Sequence, residues 1–210
     1  LAKPREKAWL DAELRRLLLP IRLPARRYDM VRRFRRRETL RIGTRDLMGL
    51  ATVEETTREL SNLADVCLEA VLAIASESVA RHFRLRSVPA GGAGLAIIGM
   101  GKLGGQELNY SSDIDVIFVY GEDGALTPSV SFRDYHTKLA EEIVRAVGRP
   151  TEEGTIYRID LRLRPEGASG PLARSLEACE NYYAQWGETW ERLALIKARH
   201  VAGDAAVGES

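Results

Sequence analysis

Apolar residues in the first ninety positions fall at helical spacing, and that spacing predicts three helices in succession. Trp9 to Leu19 reads as a short helix, with prolines at 4, 20 and 24 breaking the stretch around it. Tyr28 to Leu50 reads as a second, with apolar positions at Tyr28, Val31, Phe34, Leu40, Leu47 and Leu50. Thr52-Val-Glu-Glu55 has the form of a capping box, in which a hydroxyl and a carboxylate satisfy the free amides of a helix start. The helix it opens runs to about Phe83 and carries the stripe Leu60, Leu63, Ala64, Cys67, Val71 and Ile74. Pro89-Ala-Gly-Gly92 is a breaker, and beyond it the pattern changes. Leu95 to Met100 and Asp113 to Tyr120 are apolar runs of strand length, and Thr155 to Arg164 alternates strictly. Between them Ser131-Phe-Arg-Asp134 opens a helix carrying Tyr135, Leu139, Ile143 and Val147, closed by Gly148 and Pro150. Helices return from Ser175 to about Arg199, interrupted at Gly187. The expected class is α+β, divided into a helical segment 1–90, a strand-bearing core 91–172 and a helical segment 173–210.

Composition narrows the function classes. Thirty-one basic and 30 acidic residues among 210 leave a charge of +1, so no global field calls for nucleic acid or an anionic membrane. The run Arg32-Arg-Phe-Arg-Arg-Arg37 is the loudest local charge, but on a helix it fans around the circumference and reads as a solvated face. Cys67 and Cys179 lie far apart without metal-ligand spacing, as small buried hydrophobes in a reducing, cytoplasmic compartment. No stretch has the length of a membrane span, and the first residues are charged rather than signal-like. His82, His136 and His200 are scattered without a partner motif, and Trp186 and Trp190, four apart, read as core.

The chemistry concentrates in residues 99–115, Gly-Met-Gly-Lys-Leu-Gly-Gly-Gln-Glu-Leu-Asn-Tyr-Ser-Ser-Asp-Ile-Asp. On a strand Asp113 and Asp115 share a face, about 7 Å apart at Cα, while Ile114 and Val116 point to the core. Two carboxylates at close approach repel by about 4 kcal/mol at an effective dielectric near 20, and a divalent cation removes that penalty. Hard oxygen ligands suit magnesium or manganese. In the alternating segment, Tyr157, Ile159, Leu161 and Leu163 fall on one face and Arg158, Asp160, Arg162 and Arg164 on the other. Alone, that polar face is a neutralised surface row. Beside the Asp-x-Asp strand, Asp160 completes a metal cage, and Arg162 and Arg164 become candidates for phosphate oxygens. Gly101, Gly104 and Gly105 are expected in an open loop whose amides cradle phosphate, with Lys102 and the Ser112 hydroxyl as further contacts. Lys197 and Arg199 fit phosphate contact and peripheral ion pairing equally well.

This arrangement resembles the nucleotidyltransferase superfamily. The wording of three blocks, residues 99–115, Asp160 to Leu172 and Trp190 to Arg199, is similar to the glutamine synthetase adenylyltransferase and adenylyl-removing enzymes, and the likeness reaches upstream to Phe34–Glu38 and Arg45–Leu50. The resemblance implies a nucleotidyltransferase-like mixed sheet with helical flanks, in a piece of a longer enzyme. It implies catalytic and metal-binding roles for Asp113, Asp115 and Asp160, two magnesium ions, ATP or ADP and phosphate as small partners, and glutamine synthetase and the PII signalling protein as protein partners. Gly99-Met-Gly101 and Asp160-Leu-Arg-Leu-Arg164-Pro-Glu-Gly167 look like the front, AMP-removing half, which releases ADP by phosphorolysis. The rear half of such enzymes instead adds AMP from ATP to a tyrosine hydroxyl of glutamine synthetase. A regulatory module that binds nucleotide or PII without turnover has no need of three acids. Transfer to RNA would require salt-sensitive polynucleotide binding.

Overall fold

The computed structural model describes residues 3–89 and 93–210. The expected breaker therefore lies, from residue 90 to 92, outside the described residues. Three helices come first: α1 Lys7–Leu18, α2 Pro24–Leu47 and α3 Val53–His82. Pro24 does not break the chain but opens α2, where its missing amide and fixed φ cost nothing. Thr52 forms the expected capping box, its hydroxyl accepting from Glu55 N while the Glu55 carboxylate accepts from Thr52 N. The whole predicted stripe of α3 is buried. In α2 the prediction holds for Tyr28, Val31 and Phe34 and then fails: Leu40 and Leu47 are exposed, and Ile42 is buried instead.

The strands are β1 Leu95–Gly99, β2 Ile114–Tyr120, the small hairpin β3 Ala125–Thr127 and β4 Val130–Ser131, β5 Ile159–Asp160, β6 Ala173–Ser175 and β7 Arg199–Gly203. A short helical turn, α4 Gly101–Gly104, joins β1 to the segment before β2, and α5 Phe132–Gly148 follows the hairpin. Then come α6 Leu176–Gln185, α7 Thr189–Ala194 and, after β7, α8 Ala205–Gly208. Among the described residues five strands form one mixed sheet in the order β5-β2-β1-β7, with β6 also on β2. β1 runs antiparallel to β2 and β7, whereas β5 and β6 lie parallel to β2 along the same edge, β5 beside its start and β6 beside its end.

Alternation along β2 decides the layers. Ile114, Val116, Phe118 and Tyr120 enter the larger core with α1, α2, α3 and α5; Ile117 and Val119 face a smaller cluster with Ala96, Met100, Cys179 and Val207. The sheet is thus covered on both faces, and Asp113 and Asp115 fall on the side of the smaller cluster. No helix among the described residues is long and apolar enough to cross a membrane.

Several expectations need correction. The segment 173–210 is not purely helical: it supplies β6 and β7, whose strand state comes from pairing with Phe118–Tyr120 and Ala96–Gly99 rather than from their own short pattern. The strand expected over Thr155–Arg164 shrinks to Ile159–Asp160, because the Asp160 carboxylate accepts from Arg162 N at 2.8 Å and bends the chain off the sheet. Leu163 therefore joins the smaller cluster while Ile159 and Leu161 pack on the larger. The arginine run on α2 is anchored rather than simply solvated. Arg32 is 4% exposed and donates to the Ala146 and Arg149 carbonyls at the end of α5, Arg33 and Arg36 hold Glu153, and Arg35 lies over the Tyr157 ring. Trp186 and Trp190 are 74% and 55% exposed and do not join either core. Both cysteines are buried free thiols; desolvation pushes Cys67 to about 12 and Cys179 to about 11. His136 is fully buried, stacks on Tyr120, bonds the Ala93 carbonyl through Nε2, and is lowered to about 4 by burial.

Candidate functional site

The parallel register of β2 and β5 places Asp160 opposite Asp115, so the two side chains leave the same face of the sheet. Asp113 stands just before β2, two residues from Asp115 and therefore on the same side. The electrostatics show the three acids within reach of one another's charge. The Asp115 carboxyl is raised first by desolvation and then by the charges of Asp160 and Asp113, with Arg162 and Lys102 opposing. Asp160 moves the other way, held low chiefly by the Arg162 guanidinium and also by the Arg162 backbone amide. Arg162 is raised by Asp160 above all, with smaller contributions from Asp115 and Asp113, so one cation sits among three acids.

Arginines already partner two of those acids. Arg158 donates from Nε to Asp113 and from Nη2 to the Ser111 carbonyl at 2.6 Å. Arg162 donates from Nε to both Asp160 oxygens, at 3.1 and 2.9 Å, and from Nη2 to Oδ2 at 2.5 Å. Turned onto their arginines, the acids leave no group of three Asp, Glu, His or Cys side chains, among the described residues, close enough to hold a metal as they stand. The donor set nevertheless suits a hard divalent cation: three carboxylates on one ledge, one of them raised by burial and by the charges of the other two, around a position where a cation already sits.

The glycines divide. Instead of an open loop, residues 101–104 form one helical turn at the end of β1. Gly101 has φ +51°, and a Cβ there would lie 2.9 Å from Asp115 Oδ2, so both backbone and carboxylate require glycine. Gly104 is buried, and its Cβ would fall 1.9 Å from the Lys197 carbonyl oxygen and 2.5 Å from that of Gly99. It is a close-approach glycine between two backbones, not part of an open loop. A Cβ at Gly105 would meet only the flexible Lys197 side chain at 3.2 Å and Glu107 at 3.4 Å, apart from the Gly101 carbonyl at 3.4 Å. Lys102 is exposed on the same turn and opposes the rise at Asp115.

The remaining candidates spread out. Ser112 donates to Asn109 Oδ1 at 2.5 Å, which closes the turn before β2. Arg164 does not share a strand face with Asp160; its guanidinium binds the carbonyls of Leu161, Ala168 and Gly170 and holds the loop after β5 in shape. Lys197 pairs with Glu107 and Arg199 with Asp65. The reading by alternation placed Arg158 beside Asp160 but missed its pairing with Asp113, which depends on a strand neighbour 45 residues away in the chain.

The family model for glutamate–ammonia ligase adenylyltransferase matches residues 1–210. A bifunctional glutamine synthetase adenylyltransferase/adenylyl-removing enzyme of Nitrosococcus oceani is 46% identical over 85% of this chain and 19% of its own length. The relative of the same description in Thioalkalivibrio sulfidiphilus is 39% identical over 99% of this chain and 22% of its length, and that of Pseudomonas aeruginosa 42% over 85% and 19%. The chain thus spans about a fifth of the length of these curated relatives. With the match running from the first residue to the last, the chain belongs to the glutamate–ammonia ligase adenylyltransferase family.

Proposed function

We propose that this chain is a metal-dependent nucleotidyl-transfer unit acting on glutamine synthetase, and that its reaction is the phosphorolytic removal of AMP from a modified tyrosine. The observation supporting transfer chemistry is the Asp115–Asp160 register, with Asp113 near enough to raise Asp115 further. The target comes from the relatives, described as bifunctional glutamine synthetase adenylyltransferase/adenylyl-removing enzymes. Regulation through the PII protein belongs to the same proposal.

In this reaction an oxygen of inorganic phosphate bonds to the AMP phosphorus, and the bond from that phosphorus to the tyrosine oxygen breaks. ADP leaves, and the tyrosine oxygen takes up a proton to restore the hydroxyl. Asp113, Asp115 and Asp160 would hold magnesium or manganese, which when bound supplies charge neutralisation on the phosphates. Arg162 spends Nε and Nη2 on Asp160 and keeps Nη1 for an oxyanion, so Asp160 orients the cation that receives the attacking phosphate. Lys102 supplies a second positive charge beside Asp115. The missing side chain of Gly101 leaves phosphate room to approach that acid.

Direction is decided by incubating the chain with AMP-modified glutamine synthetase and phosphate, and separately with unmodified enzyme and ATP. Phosphate-dependent ADP release is expected, and Arg162→Leu is expected to raise the Michaelis constant for phosphate about tenfold while leaving that for the modified protein near its original value. AMP incorporation from ATP without phosphate-dependent release assigns the chain to the adding reaction instead. Nucleotide binding without turnover in either direction would leave a regulatory binding role.

A further inference from the structure

Arg199 stands behind the acids and touches none of them, yet it grips the turn that faces them. From the start of β7 its Nη1 and Nη2 donate to Asp65 Oδ2 at 2.7 Å and Oδ1 at 3.0 Å. The same guanidinium donates from Nε to the Gly104 carbonyl at 3.1 Å and from Nη2 to the Leu103 carbonyl at 3.0 Å. These carbonyls lie at the end of α4, where helical geometry leaves oxygens short of partners and a cation is favourable. Asp65 is fully buried on α3 and also accepts from Lys7 Nζ at 2.8 Å, so the anchor carries two cations. One turn earlier on α3, the Ser61 hydroxyl accepts from Leu108 N at 3.2 Å and the Asn62 side chain from Gln106 Nε2 at 3.4 Å. One face of α3 therefore holds both ends of residues 103–108.

We propose that Arg199 is a positioning residue for nucleotide binding: anchored by Asp65, it fixes α4 so that Gly101 and Lys102 face Asp115. This rests on the reading of the turn as a nucleotide site given above. A planar fork is required, because one edge meets the carboxylate while the guanidinium also reaches two carbonyls; a lysine keeps the charge but offers a single point of donation. Lys7 is the matched control, since it shares Asp65 and has no bond to α4.

The test uses the full chain with Arg199→Lys, Asp65→Asn and Lys7→Met, read by ADP–magnesium titration, by amide exchange over residues 103–108 without nucleotide, and by thermal melting. Arg199→Lys is expected to weaken ADP binding about tenfold and to speed exchange over 103–108, and Asp65→Asn to do the same, as its loss frees the guanidinium. Lys7→Met is expected to lower the melting temperature with ADP affinity and exchange over 103–108 unchanged. Equal ADP affinity in Arg199→Lys and the unsubstituted chain overturns the proposal. So does an equal loss of affinity in Lys7→Met, which would make the effect general destabilisation. If the unsubstituted chain fails to bind ADP at all, the nucleotide reading itself is overturned, a result distinct from a failure of the clamp.

Discussion

Asp115 and Asp160 sit side by side on neighbouring strands, yet their environments push them in opposite directions. A carboxyl whose folded pKa is raised is harder to ionise in the fold than in the unfolded chain. Its penalty is absent below the unfolded pKa, grows as pH rises through the folded one, and persists at neutrality. A carboxyl whose folded pKa is lowered contributes stability above the unfolded pKa, which is lost as pH falls through the folded value. Asp115→Asn is therefore expected to raise the melting temperature at pH 7, and Asp160→Asn to lower it. The Asp115 difference should shrink toward zero in melts taken at about pH 2–3, below the unfolded carboxylate range, whereas the Asp160 difference should fade only as pH drops on through its lowered folded value. Under the proposed metal-dependent transfer, both variants are expected to lose turnover by at least about 100-fold, since each removes a carboxylate that would hold the charge-neutralising cation. The glycines give a second residue-scale contrast. Gly104→Ala drives a methyl into two backbone carbonyls and is expected to cost about 2–3 kcal/mol in denaturant unfolding. Gly105→Ala, at φ −74° and against a flexible lysine, is expected to stay within about 0.5 kcal/mol. The expectation that either glycine serves nucleotide binding more than stability holds no longer for Gly104, whose neighbours are backbone atoms from two other segments.

Among the elements, helices governed by contacts within one turn match their sequence signals. Thr52 and Ser131 both form capping boxes, and the stripes of α3 and α5 are buried throughout. Thr52→Ala is expected to cost about 1 kcal/mol in equilibrium unfolding without changing any site residue's surroundings. The end of α2 shows where the pattern fails: Leu40 and Leu47 are apolar at plausible spacing but lie outside the packed face, while Glu38 and Arg45 are buried in an ion network with Arg41 and Glu59. Periodicity identifies a helix; it does not say which of its faces another element will cover. Strand signals were weaker still. The alternation over residues 155–164 continues past Asp160, but one carboxylate-to-amide bond turns the chain away after two paired residues.

At the scale of the whole molecule the sheet needs its last strand. β7 covers the edge of β1 and places Val201 and Ala202 in the larger core. A chain ending at residue 198 is expected to expose Ile97 and Ile98 along an unpaired edge, to lose its cooperative thermal transition, and to elute as aggregate on size exclusion. The same strand carries Arg199, so one segment far along the chain both pairs with β1 and holds the turn beside Asp115.

What the sequence by itself determined are the features written in short range: helix periods, capping boxes, the Asp-x-Asp pair with its buried alternate residues, and the three blocks that carry the family. Only the tertiary structure decided the features that depend on partners far along the chain. These are the strand state of β7, the register that sets Asp160 beside Asp115, the arginines that hold Asp113 and Asp160, and the separation of Gly104 from the site. A helical turn or a cap closes within four residues, so its energetics are present in the local sequence. A strand pair, a buried ion pair or a close backbone approach exists only once segments dozens of residues apart have met, and no local pattern says which will meet.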